Sequence, residues 1–327
     1  MSGRSFVPRM LLTCAVVLLI SRGTSAVIIS SGAPGSGATS NWDGVGTITN
    51  GFDPGTGTLI DPTHVLTAAH VVYNSSTSQA FNTSQVVFHL DGSNYSVASI
   101  AIPSNYTGAG ASDATADLAD IAIITLTSPV PNATTWGYNA GSVNELTAGT
   151  AHIVGYGEGG DGTNGENGTN FPFGTKREGL NSIDLVTTHN TQVTDGFGNT
   201  ATLPPGVIAW DFDQYSATNP TNGPLGGPAV GPDEGDATDG DSGAPIFQLN
   251  PATDQFIITG VVIDGTDSLD RFGDISWATE TSDYASFIAA NVPEPGMGAP
   301  VMILGCIVLL ARRRGAGGAA AGRSRPG

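Results

Sequence analysis

Across 327 residues the chain carries 29 acidic side chains against 11 Lys and Arg, for a formal charge of −18. Nearly all the acids fall between the two ends, where only Lys176, Arg177 and Arg271 oppose them; a surface of that sign repels phosphate backbones and excludes nucleic acid as a partner. Both cysteines, Cys14 and Cys306, lie at the ends, so the body of the chain has no disulfide to draw on, and its length suits one large domain or two modest ones.

Residues 1–26 open with Arg4 and Arg9, continue with an apolar run over 10–20 and close on the small-residue stretch SRGTSA. That is the pattern of a leader removed by signal peptidase, and it places the mature start near Val27. The run is short against the ~20 residues a membrane-spanning helix needs. From there, β-branched or apolar runs recur between clusters of Gly, Asn and Pro: GTLID, HVLTAAHVV, QVVFHL, YSVASIAI, DIAIITL, AHIVGYG, NSIDLVT, APIFQL and QFIITGVVI. Spacing of this kind predicts an all-β barrel or sandwich rather than alternating strand and helix.

Three of these segments carry chemistry. His70 closes the apolar strand predicted in HVLTAAHVV, behind two alanines that let the chain turn and leave the imidazole at a cleft; imidazole is the side chain suited to take and return a proton at neutral pH. Asp120 stands directly before IAIITL, a run predicted to be buried on both faces, where a carboxylate needs a cationic or hydrogen-bonding partner; Asp117 competes for the role. Residues 157–170 and 215–239 are predicted to be long surface loops, and the second leads into TDGDSGAPIF. There Ser242 lies between glycines, and the N–H groups of Gly240 and Ser242 can converge as an oxyanion hole. A helix is predicted over 282–291, capped by Ser282, with Tyr284, Phe287 and Ile288 on one face.

The end of the chain reads VPEP, then an apolar stretch over 296–311, then Arg312, Arg313 and Arg314. As a helix the stretch reaches about 24 Å, slightly less than a hydrocarbon core. Residues 292–327 resemble the PEP-CTERM sorting signal of bacterial exported proteins. The resemblance implies export to the surface or the medium, transient membrane contact through the tail, and its removal by an exosortase. Residues 315–327 extend further than such signals usually do.

Together, LTAAH, DIAIITL and GDSGAP resemble the three signature segments of trypsin-like (chymotrypsin-fold) serine proteases, in the order His, Asp, Ser. The resemblance implies two packed six-stranded antiparallel β-barrels over residues 27–291, the first about 27–140, the second about 141–280, followed by the short helix. It implies that Ser242 attacks a peptide carbonyl, His70 acts as base and then acid, and Asp120 holds the ring, on protein or peptide substrates. Asp236, six residues before the serine, would select Arg or Lys, beside Gly265 on the pocket strand; Asp233, Glu234 and Asp239 are its neighbours in sequence. A new N-terminus at Val27 would pair with Asp241.

Several positions depart from the family. Val71 and Thr238 stand where cysteines are common, so apolar packing is expected to hold those loops, and Ile263 replaces a serine that usually supports the triad carboxylate. No metal or cofactor is expected: there is no HExxH, and His64, His89, His152 and His189 are scattered. The rival readings are a catalytically silent binding module of the same fold and an acidic matrix protein.

Overall fold

The computed structural model describes residues 27–30, 42–108, 118–216 and 223–292. The predicted leader, the tail from residue 293 with its membrane stretch, and Asp117 lie outside them. Among the described residues no helix is long and apolar enough to cross a membrane.

Six strands make the first half: β1 (Val45–Thr49), β2 (Gly55–Asp61), β3 (His64–Thr67), β4 (Val87–Leu90), β5 (Ser93–Ala101) and β6 (Ala122–Leu126). They hydrogen-bond in the order β1-β2-β3-β6-β5-β4 and close into a barrel, every pairing antiparallel. Its filling comes from fully buried Ile48, Leu59, Val65, Phe88 and Ile124. β6 is apolar almost throughout and buried except at Thr125, as its sequence demanded.

The second half uses β7 (Ala151–Gly155), β8 (Arg177–Asn181), β9 (Leu185–Val186), β10 (Val207–Asp211), β11 (Pro245–Asn250), β12 (Gln255–Gly265) and β13 (Ile275–Glu280), ordered β8-β7-β11-β12-β13-β10-β9. The outer strands β8 and β9 are consecutive in the chain. NSIDLVT, predicted as one strand, is broken because Asp184 leaves the β8 ladder and its N–H turns to Ala209 O at 3.0 Å. The chain therefore carries one edge strand directly into the other, but no ladder joins them, and the second half is an open seven-stranded antiparallel sheet where a second closed six-stranded barrel was expected. Among the described residues the fold is mostly β with one short α-helix, the architecture of chymotrypsin-like folds.

One apolar cluster runs through both halves. At their junction Trp42 stacks on Phe247, with ring centroids 4.5 Å apart, and Trp136 packs on the same ring at 4.7 Å. The helix α1 (Ala285–Asn291) buries Ile288 and rests Tyr284 and Phe287 against this cluster. It starts later than predicted, and Ser282 is not its cap, since the Ser282 hydroxyl is turned to Glu280 Oε1.

The predicted loops also differ. Residues 157–170 fold back on themselves through Gly160–Asp161 and Gly165–Glu166, and Ile29 pairs with Asp161. Lacking side chains, these glycines bring backbone ladders close enough to be buried where low complexity suggested a surface loop. The second loop is buried over 234–238, where Gly235–Asp236 pairs with Ile28–Ile29.

Candidate active site

His70 follows β3, but not as the end of a strand. β3 stops at Thr67, and the chain tightens into a 3-10 turn over His70–Val72 once Ala68 and Ala69 are buried. Asp120 lies at the mouth of β6, just after Ala119, whose φ of 63° turns the chain. Both carboxylate oxygens of Asp120 accept from His70: Oδ1 from the backbone N–H at 2.9 Å, Oδ2 from ring Nδ1 at 2.8 Å. The acid is 5% exposed and the imidazole 35%, so one face of the ring remains open to the cleft. This pairing fixes the tautomer that leaves Nε2 as a base.

Ser242 comes from the second half and lines the same cavity of about 940 Å³ as His70, Asp120, Gly240 and Ile263. The first barrel grips its loop. Thr56 on β2 donates its N–H to Ser242 O at 2.8 Å and its hydroxyl to Gly240 O at 3.1 Å. A reciprocal grip runs the other way, from the Thr279 hydroxyl on β13 to Asp120 O at 2.8 Å.

The serine loop commits its donors alternately. The N–H groups of Asp241, Gly243 and Ala244 go to Thr238 O, Val262 O and Asp241 O at 2.9, 2.8 and 2.7 Å. Those of Gly240 and Ser242 meet no carbonyl among the described residues. Two uncommitted donors on alternate residues beside a hydroxyl are what an oxyanion hole requires. Gly240 takes φ 95°, and a Cβ there would lie 2.7 Å from the Phe173 ring, so no other residue keeps this loop shape without strain.

Asp241 is fully buried. Its Oδ1 accepts from Gly157 N at 2.8 Å, and its Oδ2 from the Thr238 N–H and hydroxyl, each at 3.1 Å. Burial still pushes its carboxyl up to about 6 against those bonds and against the charge of Arg177. Val27, its expected partner, is also fully buried, with Cγ1 2.5 Å from where a Cβ on Gly179 would sit.

Neither Asp236 nor Gly265 is among the residues lining the cavity. Asp236 is fully buried, its Oδ1 accepting from Trp210 Nε1 at 2.8 Å and Ala237 N at 2.9 Å. Asp274 lies nearby, its Oδ2 3.1 Å from the point where Gly265 would carry a Cβ. Burial raises both carboxyls, and the charge of Asp236 raises Asp274 further. Asp264 does line the cleft; burial raises it too, while the His70 charge pulls it back.

The family model described as Trypsin matches residues 29–288. The chain belongs to the trypsin family. Membership carries a serine protease-like function with protein or peptide substrates. No curated protein matches the chain. Within this trypsin-family frame the two cysteine-free loops are held differently from each other. Val71 packs on Gly55, where a Cβ would come within 2.7 Å of Val71 Cγ1, and Asn50 Nδ2 holds Val71 O at 2.8 Å. Thr238 is held by hydrogen bonds to Asp241 Oδ2 and Glu158 O rather than by the apolar packing expected.

Sequence reasoning missed Thr56, Thr279, Asp264 and Arg177. The threonines read as ordinary strand residues. Arg177 left a signal, as one of three cations in an acidic body.

Proposed function

We propose that the chain is an exported serine endopeptidase. Ser242 attacks the carbonyl, His70 takes the hydroxyl proton and returns it to the leaving amine, and Asp120 orients the ring and stabilises the imidazolium. The Gly240 and Ser242 N–H groups receive the oxyanion. The observation that carries this reading is the double hydrogen bond from His70 to Asp120, on a cavity that Ser242 also lines.

Cleavage after Arg or Lys is proposed from the place of Asp236 six residues before Ser242 and from Asp239 and Asp264, whose carboxylates line the cavity and could meet a cationic side chain with charge-assisted bonds. Export and transient anchoring rest on the leader and tail sequences, and processing by signal peptidase and an exosortase on the same segments. A start at Val27 is supported by its backbone. Val27 holds φ 55°, a left-handed conformation that β-branched residues avoid, and that angle ceases to exist once residue 26 is cut away. Its new ammonium would then add to the charges around Asp241.

The test is labelling of the mature protein with a fluorophosphonate, together with cleavage-site profiling on a peptide library. Wild type should label and cut, and Ser242→Ala should do neither. A silent binding module or a matrix protein would leave both forms unlabelled.

A further inference from the structure

Arg177 is among the largest fully buried side chains of the protein, at 2% exposure. A buried guanidinium is costly unless an anion or a full set of acceptors meets it. Here Nη1 donates to Gly157 O at 3.2 Å and Thr175 O at 3.0 Å, while Nε and Nη2 have no hydrogen-bond partner among the described residues. The charge acting on Arg177 is that of Asp241, and the effect is mutual. The other two cations of the body are engaged elsewhere, Arg271 by Asp267 and Lys176 near Asp43 and Asp91.

The link between Arg177 and Asp241 passes through one residue. Arg177 opposes Gly155 across the β7–β8 ladder, its guanidinium holds Gly157 O, and Gly157 N holds Asp241 Oδ1. A Cβ on Gly155 would fall 1.8 Å from Asp241 Oδ1, so the carboxylate is pressed against the segment that Arg177 fastens. Val27 packs on Gly179 of the same strand, two residues from Arg177, and alternate residues of a strand share a face. An ammonium formed at Val27 would thus appear over the strand that already supplies the cation acting on Asp241.

We propose that Arg177 is a positioning residue that holds Asp241, and through it the Gly240–Ser242 loop, in catalytic order before any N-terminus is made at Val27. Removal of the leader then adds to the order of the site without creating it. The inference rests on the protease reading above.

The experiment compares the mature form starting at Val27 with a form carrying a short Gly-Ser extension ahead of Val27, each as wild type, Arg177→Gln and Arg177→Lys. Fluorophosphonate labelling rate and kcat and KM on a peptide substrate are measured for all six. Extended wild type should label within about threefold of mature wild type. Extended Arg177→Gln should lose roughly a hundredfold in labelling rate and kcat with KM little changed, about what one oxyanion donor contributes; mature Arg177→Gln should lose less, and Arg177→Lys should recover most of the extended form. An inert extended wild type beside an active mature one overturns the proposal, as does an extended Arg177→Gln that labels like wild type. Should Arg177→Gln fail to fold, the extended wild type and Arg177→Lys decide it. A mature wild type that never labels overturns the protease reading itself.

Discussion

Thr56→Val keeps the shape of a fully buried side chain and removes only its hydroxyl. That hydroxyl donates to Gly240 O at 3.1 Å and accepts from Tyr156 N at 3.3 Å, so the substitution leaves one carbonyl and one N–H, both part-buried, without this partner. At about 1–3 kcal/mol for each fully buried unsatisfied group the ceiling is about 6 kcal/mol, and partial access to water brings the expected loss of stability to about 1–3 kcal/mol. The effect on catalysis is separate. The Thr56 N–H still holds Ser242 O, so the nucleophile stays in place while Gly240 loosens and one oxyanion donor goes partly out of line. The expected fall in kcat is about tenfold to a hundredfold, roughly 1.4–2.7 kcal/mol, with KM nearly unchanged because the donor acts on the transition state. Urea denaturation gives the first quantity and steady-state kinetics on a peptide substrate the second. A variant with lowered stability but wild-type kcat would show that Thr56 is structural alone; one with neither change would refute the grip across the two halves.

Buried carboxyls set the dependence of stability on pH. Burial, reinforced by neighbouring acids, lifts Asp184 and Asp213 to about 7 and Glu234 to about 9. Because these folded values exceed the unfolded ones, the native state holds more protons between about pH 4 and 9. Their stabilisation is complete below pH 4 and is lost as pH rises through that window. The melting temperature should accordingly be higher at pH 5 than at pH 8.5, and the reverse order would contradict the assignment. Gly55→Cys with Val71→Cys should form a disulfide worth about 2–4 kcal/mol; equal urea midpoints with and without reductant would mean that these residues do not pack as described.

The all-β class and the three reactive segments were legible because each left a local mark: apolar runs between turn residues, a histidine behind alanines, an acid before a buried strand, a serine among glycines. β1, β10 and β13 were not picked out. VGTIT and ISWATE mix polar and apolar residues, VIAWD is a short apolar run ending on an aspartate, and the burial of all three comes from neighbours that are distant in the chain. The count from Ser242 back to Asp236 suggested a pocket carboxylate, whereas Asp236 is buried against Trp210, an outcome the sequence does not carry because it depends on Ile28–Ile29 pairing across the Gly235–Asp236 edge. Residues 157–170 misled for a related reason. Composition reports what side chains can bury, whereas glycine backbones bury themselves by hydrogen bonding to each other.

The grips of Thr56 on the serine loop and of Thr279 on Asp120 point in opposite directions across the same seam. Each half of the molecule keeps hold of a reactive part that belongs to the other. A wedge driven between the halves, even far from the cavity, would unhook the Ser242 loop and Asp120 together, so under the proposed protease reading the seam is a place from which activity can be switched off.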